Sequence, residues 1–399
     1  MTISKDGPTP RYFRAVWAIV SGLKAGSMAF VLPDGRRFET TPGAPGPHGE
    51  IIVHNPEMFA RLVREGDLGF AETYMDGWWD TPDLQALMDV ILLNNDSVGR
   101  GFPGMFLVRS YERLRHWMNR NTKTGSRRNI AHHYDLGNRF YSAWLDETMT
   151  YSSALFHTGG EDLSKAQENK YASILDMIGA REGDHVLEIG CGWGGFAEYA
   201  ARSRGAKVTG ITISREQHDF AAARIQRQGL GEKVEIVMRD YRDEIGRYDG
   251  VASIEMFEAV GEQFWPGYFD TVRERLKPGA AASLQIITIA DEWFPTYRKS
   301  VDFIQKYIFP GGMLPSPTEL RRQIARAKLD LAGSVEFGQS YAETLRRWRA
   351  AFNARWDEIR GLGFDDRFHR MWNYYLASCA GAFMSGTTDV TQVAIRRPG

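Results

Sequence analysis

Residues 186–195 read Val186-Leu187-Glu188-Ile189-Gly190-Cys191-Gly192-Trp193-Gly194-Gly195. A short apolar run that stops on glycines predicts a buried strand and a tight turn into a helix over 196–202. Glycines at such a turn let the backbone bend sharply and approach a ligand without Cβ interference. Gly190, Gly192 and Gly195 satisfy the G-x-G-x-x-G spacing of a dinucleotide site, a weak match taken alone. Two features point elsewhere. Glu188 sits inside the strand, where it can orient the loop or meet a cationic ligand. The ribose-binding acid expected about 20 residues further on is missing. Ile211-Thr212-Ile213-Ser214 stands there instead, with Gln217 in the following helix.

Outward from this turn, strand and helix alternate. Further strands are predicted at 207–211, 234–237, 248–254 and 281–289, and a terminal edge strand at 392–395. Helices are predicted around 216–228 and up to Leu276-Lys277-Pro278-Gly279. Such alternation predicts an α/β fold with a parallel sheet and helices on both faces. Residues 300–330 interrupt it with an aromatic-rich, mostly helical stretch. Residues 1–95 read as a small α+β domain, with a hairpin turning at Asp34-Gly35, a strand at 51–53 and a helix from Asn55-Pro56-Glu57 to about Arg64. The 96–130 stretch carries eight basic residues against Asp96 and Glu112, interleaved with Phe106, Tyr111, Leu114, Trp117 and Met118. It reads as a basic amphipathic linker suited to an anionic interface, or to packing its apolar side on the next domain. The expected domains are therefore 1–95, 96–130 and 131–399, the last with an insertion around 295–345.

Composition bounds the function. Of 399 residues, 43% are hydrophobic and 25% charged, which excludes a disordered chain. The net charge of −1 gives no global field for nucleic acid, and no nucleic-acid partner is expected. Only Cys191 and Cys379 occur, so neither a disulfide framework nor a cysteine metal cluster is expected; a reducing compartment fits. No apolar run reaches the roughly 18–20 residues of a membrane span, and the first residues lack the pattern of a signal peptide. These features predict a cytoplasmic protein. One excess calls for a use: 12% of residues are aromatic, among them 11 Trp.

The glycine turn resembles the first motif of S-adenosylmethionine-dependent methyltransferases. Further segments narrow the match: His133-Tyr134-Asp135-Leu136-Gly137-Asn138, Met149-Thr150-Tyr151-Ser152, Gly210-Ile211-Thr212-Ile213-Ser214-Arg215-Glu216-Gln217, Met256-Phe257-Glu258-Ala259-Val260-Gly261, and Tyr374-Tyr375 with Cys379-Ala380-Gly381-Ala382-Phe383. Over nearly its whole length the chain resembles the cyclopropane-fatty-acyl-phospholipid synthase family. The resemblance implies a Rossmann-like methyltransferase sheet with a helical lipid-facing insertion. It implies S-adenosylmethionine as cofactor, lined by Tyr151, Ser152, Glu188, Gly190, Gly192, Gly194, Thr212, Gln217 and Tyr241. It further implies a phospholipid membrane as partner, with the enzyme peripheral at the inner face, and an N-terminal domain that assists docking or self-association as a homo-oligomer.

The implied reaction moves a methyl group to the double bond of an unsaturated phospholipid acyl chain. An isolated alkene is a poor nucleophile, so positioning supplies much of the acceleration. The positive charge left on the chain needs a dry pocket, and aromatic faces both exclude water and stabilise a cation. Tyr307, Phe309, Tyr341, Trp348, Trp372, Tyr374, Tyr375 and Phe383 are candidates for it; plain core is the expected role of most, and core does not exclude lining a tunnel. Which proton then leaves decides whether the product is cyclopropane, methylene or methyl-branched. In the family a bound bicarbonate takes this proton, held by a Glu, a Tyr, a His, a Cys and backbone. Glu258 and Tyr341 match the first two and are the expected catalytic pair. The chain departs elsewhere: Ser153 replaces the Cys and Ile287 replaces the His. Gln285 is a substitute donor, and Glu255 adds a second carboxylate that opposes a bound anion and favours proton abstraction by the protein itself. Two rivals stay open. A methyltransferase for a small soluble metabolite would work without a bilayer, and a silent lipid-binding homologue would not turn over.

Overall fold

The computed structural model describes residues 7–41, 43–98 and 136–399. Most of the basic 96–130 stretch, and His133, Tyr134 and Asp135, lie outside the described residues. The chain forms two compact units. Among described residues the first holds those up to 98 together with Lys299–Ile308 and Trp356–Thr387. The second holds 136–298 with Phe309–Arg355 and Thr388–Gly399. Two segments expected in the 131–399 domain thus belong with the N-terminal unit. The cause is aromatic packing: the Phe303 ring lies 4.8 Å from Tyr374, which in turn meets Tyr74 at 5.9 Å and Phe70 at 6.4 Å.

The first unit carries a four-stranded sheet in the order β2-β1-β3-β4. Its strands are β1 (Ala25–Val31), β2 (Arg37–Glu39), β3 (Ala44–Val53) and β4 (Trp79–Asp80). The β1–β2 hairpin turns at Asp34-Gly35 as the sequence predicts, with Phe30 opposite Phe38. The predicted strand at 51–53 is the end of β3, and the predicted helix is Met58–Glu65. Phe13 closes this core, its ring 4.8 Å from Phe38 and 5.2 Å from Phe59.

The second unit is a seven-stranded sheet in the order β10-β11-β9-β8-β5-β6-β7. The strands are β5 (His185–Ile189), β6 (Lys207–Thr212), β7 (Val234–Met238), β8 (Tyr248–Ile254), β9 (Leu276–Ile289), β10 (Asp330–Glu336) and β11 (Thr388–Arg396). β7, β6, β5, β8 and β9 pair in parallel, and β11 is antiparallel to both its neighbours. Alternation buries both faces of β5. Val186 packs with Ile174, Ala197 and Ile225, and Leu187 and Ile189 with Trp265, Tyr268 and Phe269. The helices that cover the sheet include Leu163–Ile178, Gly195–Arg204, Arg215–Arg227 and Trp265–Arg275.

Three expectations need correction. The terminal strand is not an edge, because β11 lies between β9 and β10. The edge is β10, from the stretch expected to be helical. Its sequence, Asp330-Leu331-Ala332-Gly333-Ser334-Val335-Glu336, is exposed throughout and shifts register at Gly333, so no buried alternation announces it. The insertion around 295–345 therefore combines this strand with the helix Pro317–Arg326 and the start of Gly338–Ala354. Finally, the preceding helix ends at Arg275 and β9 starts at Leu276, with Pro278 tolerated where the ladder to β8 shifts register. No described helix is long and apolar enough to cross a membrane.

Candidate active site

Ligands of open α/β sheets bind beyond the carboxyl ends of the parallel strands, and the expected cofactor residues gather there. β5 runs into Gly190, Gly192 and Gly194, with φ of +85°, +50° and +84°. The Gly190 and Cys191 N–H groups both donate to the Ile211 carbonyl at 3.0 Å, folding the turn onto β6. A Cβ on Gly190 would stand 2.8 Å from Met256 Cγ, and one on Gly194 would stand 3.1 Å from Ala221 Cβ. Those two glycines answer to packing. A Cβ on Gly192 would meet nothing within 4 Å among the described residues, so its left-handed backbone borders open space between them.

At the end of β6, Thr212 Oγ1 donates to Gln217 Oε1 at 3.0 Å, which orients the Gln217 amide. Ser214 caps the helix Arg215–Arg227 by accepting from the Gln217 N–H. Tyr241 opens the turn after β7, its ring 5.5 Å from Tyr268, and burial pushes its hydroxyl up to about 12. Glu188 is buried, with Oε2 unpartnered among the described residues, and burial pushes its carboxyl up to about 8. Open space at Gly192, an oriented amide at β6, a ring after β7 and an unsatisfied carboxyl on β5 fit a cationic nucleoside such as S-adenosylmethionine. Tyr151 completes this end inside a ring of aromatics, 5.2 Å from Trp348, 5.3 Å from Tyr141, 5.7 Å from Trp144 and 6.4 Å from Phe309.

Two carboxylates follow the end of β8. Glu255, at φ +48°, is one of four described non-glycine residues with positive φ. Such a conformation costs about 1–3 kcal/mol and persists only where surroundings enforce it. Here they do: Glu255 Oε1 accepts from the Ser153 N–H at 2.8 Å and the Gln285 amide at 2.7 Å, and Oε2 from the Tyr341 hydroxyl at 2.6 Å. Gln285 is itself held by the Gln392 amide at 3.0 Å, and Gln392 by Ser173 at 2.6 Å. The Tyr341 hydroxyl, expected to help organise proton removal with Glu258, therefore donates to Glu255.

Glu258 is held by one oxygen only. Its Oε1 accepts from the Ile287 N–H at 2.5 Å, while Oε2 is buried with no partner among the described residues. Burial, and then the neighbouring Glu255 charge, push the carboxyl up to about 8. Ile287 thus contributes backbone where the resemblance led one to expect a His ring.

Sequence reading missed Lys170. It is fully buried in the helix Leu163–Ile178 and donates to Ser152 Oγ at 2.7 Å. Burial pulls the ammonium down to about 7, while Glu255, Asp146 and Glu188 favour its charge. Its signal was positional: Lys170 shares the buried stripe of Ala166, Gln167, Tyr171 and Ile174. Gln167 beside it donates to the Ser152 carbonyl at 3.0 Å, so two residues of one helix fix the Tyr151-Ser152-Ser153 turn.

The residues do not fit a bound bicarbonate. The Ser153 N–H, the Gln285 amide and the Tyr341 hydroxyl are all taken by Glu255, and the Ile287 N–H by Glu258. Nor do the described residues group three or more His, Cys, Asp or Glu in a way that could hold a metal.

Comparison with known proteins places this arrangement. Residues 121–393 match the family model described as Mycolic acid cyclopropane synthetase. The chain is 39% identical over 381 residues to the tuberculostearic acid methyltransferase UfaA1 of Mycobacterium tuberculosis, covering 90% of this chain and 86% of that protein. It is 36% identical over 358 residues to the cyclopropane-fatty-acyl-phospholipid synthase of Escherichia coli K12, covering 87% and 88%. The solved structure of mycolic acid cyclopropane synthase CmaA1 with SAH and CTAB superposes with a TM-score of 0.64 at 27% identity, over 68% of this chain and 98% of that one. A methyltransferase sheet, a cofactor end that fits S-adenosylmethionine and a family match over two thirds of the sequence agree: the chain belongs to the mycolic acid cyclopropane synthetase family and is an S-adenosylmethionine-dependent methyltransferase.

Proposed function

We propose that the enzyme methylates the double bond of an unsaturated fatty acyl chain in a membrane phospholipid, and that Glu258 accepts the proton the chain then loses. The observation that carries this reading is the buried, unpartnered Oε2 of Glu258, fixed by a single backbone bond and pushed up to about 8. Once ionised, a carboxyl so placed is a strong base, and its Oε2 has no donor among the described residues to compete for the arriving proton. Bound S-adenosylmethionine supplies a methyl group on a positively charged sulfur. Tyr151 and Trp348, with ring centroids 5.2 Å apart, offer faces that keep water away and tolerate positive charge on the chain. Burial raises the Glu255 carboxyl beside Glu258, while its three donors and the Lys170 ammonium favour its charged form. The relatives named for fatty acyl methylation and cyclopropanation support the substrate class.

We further propose a methylene-bearing or methyl-branched alkene product, because Glu255 occupies the donors that a bound bicarbonate would need and leaves proton removal to a protein carboxylate. The cytoplasmic face of a membrane suits this role, with the basic 96–130 stretch as the means of docking. Vesicles of monounsaturated phospholipid incubated with methyl-labelled S-adenosylmethionine test the reading. Label in the acyl chain, assigned by mass spectrometry and NMR as methylene or branched alkene, is expected. Cyclopropane as the sole product would overturn the branching, and label confined to a water-soluble acceptor would overturn the lipid substrate.

A further inference from the structure

We propose that Glu255 is a built-in counter-anion: its side chain takes the place of a bound bicarbonate, so that methyl transfer runs without one. The inference rests on the methyl-transfer reading above and deepens it.

Three observations converge. First, the neighbours of Glu255 are donors to it: a backbone N–H from Ser153, an amide from Gln285 and a phenol from Tyr341, at 2.6–2.8 Å. Three donors on two oxygens satisfy a carboxylate, whereas a neutral carboxyl would need an acceptor for its own proton. Second, the backbone accepts left-handed φ at a residue with a side chain to turn this carboxylate toward them, and the Glu255 N–H is tied to the Gln285 carbonyl at 2.9 Å. Third, a fully buried cation answers the charge: Lys170, on Ser152 Oγ, lies close enough for Glu255 to favour its ammonium form. A free anion entering this space would find its donors occupied and would face the Glu255 carboxylate in a region of low dielectric. Burial raises the Glu255 carboxyl, and the three donors with the Lys170 ammonium oppose that rise; Glu255 is therefore a positioning residue that supplies negative charge, while the proton itself goes to Glu258.

The test compares wild type with Glu255→Ala. Methyl transfer to monounsaturated phospholipid vesicles is measured in carbon-dioxide-free buffer with and without added bicarbonate. In parallel, the NMR line width of isotopically labelled bicarbonate is recorded over each protein alone. The wild type is expected to run equally fast in both buffers and to leave the bicarbonate line sharp. Glu255→Ala should slow by about 10²-fold in bicarbonate-free buffer, recover in part when bicarbonate is added, and broaden the line. A wild type that stalls without bicarbonate, or broadens its line, overturns the proposal. If Glu255→Ala fails to fold, the two wild-type measurements still decide, with Tyr341→Phe as the milder removal of one donor. The NMR readout needs no turnover, so a sharp wild-type line with no acyl label would refute the methyl-transfer reading while leaving the exclusion of bicarbonate standing.

Discussion

Burial moves Glu258 and Lys170 in opposite directions, the carboxyl up to about 8 and the ammonium down to about 7. Each shift carries a signed stability effect. A carboxyl raised above its ordinary value of 4.5 contributes stability that is complete below that value and is lost as pH climbs toward 8. Between about pH 5 and pH 6 Lys170 stays largely protonated whether folded or not, so Glu258 is read there without its interference. Glu258→Gln, which cannot ionise, should melt progressively higher relative to wild type across that range in calorimetry. A constant difference would contradict the shift. Lys170→Met keeps bulk but leaves buried carboxylates uncompensated, and urea unfolding should register a loss of about 3–5 kcal/mol. A gain would mean that the ammonium balances nothing. These residues were unequally legible. Glu258 stands in a motif that can be quoted, whereas Lys170 looks like any helix lysine until its spacing is set against a buried stripe. The pairing of Tyr341 with Glu255 could not be read at all, since it joins positions 86 residues apart.

The glycine turn shows how an element divides its requirements. Gly190→Ala would press a Cβ to 2.8 Å from Met256 in a left-handed backbone, and should cost stability by about 1–3 kcal/mol. Gly192→Ala meets no neighbour, so its stability loss should stay near the 1–2 kcal/mol of the backbone conformation alone. Its Cβ instead enters the space assigned to the cofactor, and titration with S-adenosylmethionine should show the larger affinity loss at 192, with the larger drop in melting temperature at 190. The reverse order would put the ligand elsewhere. The strands flanking this turn were legible because burial on both faces makes them short continuous apolar runs. β10 was not, because an exposed edge strand has no core to pattern it.

At the scale of the whole molecule, the aromatic excess has two separate uses. Tyr307, Trp372, Tyr374, Tyr375 and Phe383 belong to the first unit, where Tyr307 donates to Glu72 at 2.7 Å and Trp372 packs on Tyr375 at 5.2 Å. Trp372, Tyr374, Tyr375 and Phe383 are buried core there, and Tyr307 is half-buried. Phe309, Tyr341 and Trp348 belong to the second unit, where they surround Tyr151 and Glu255. Composition reports the sum of the two and cannot separate them, just as a net charge of −1 conceals a basic stretch at 96–130. The most direct test of the account is therefore made on the intact enzyme. Wild type and Glu258→Gln are given methyl-labelled S-adenosylmethionine and monounsaturated phospholipid vesicles, and labelled acyl chain is quantified beside cofactor affinity. Labelled acyl chain is expected to fall about 10²–10⁴-fold in Glu258→Gln with cofactor affinity unchanged. Equal labelling by the two proteins would contradict it.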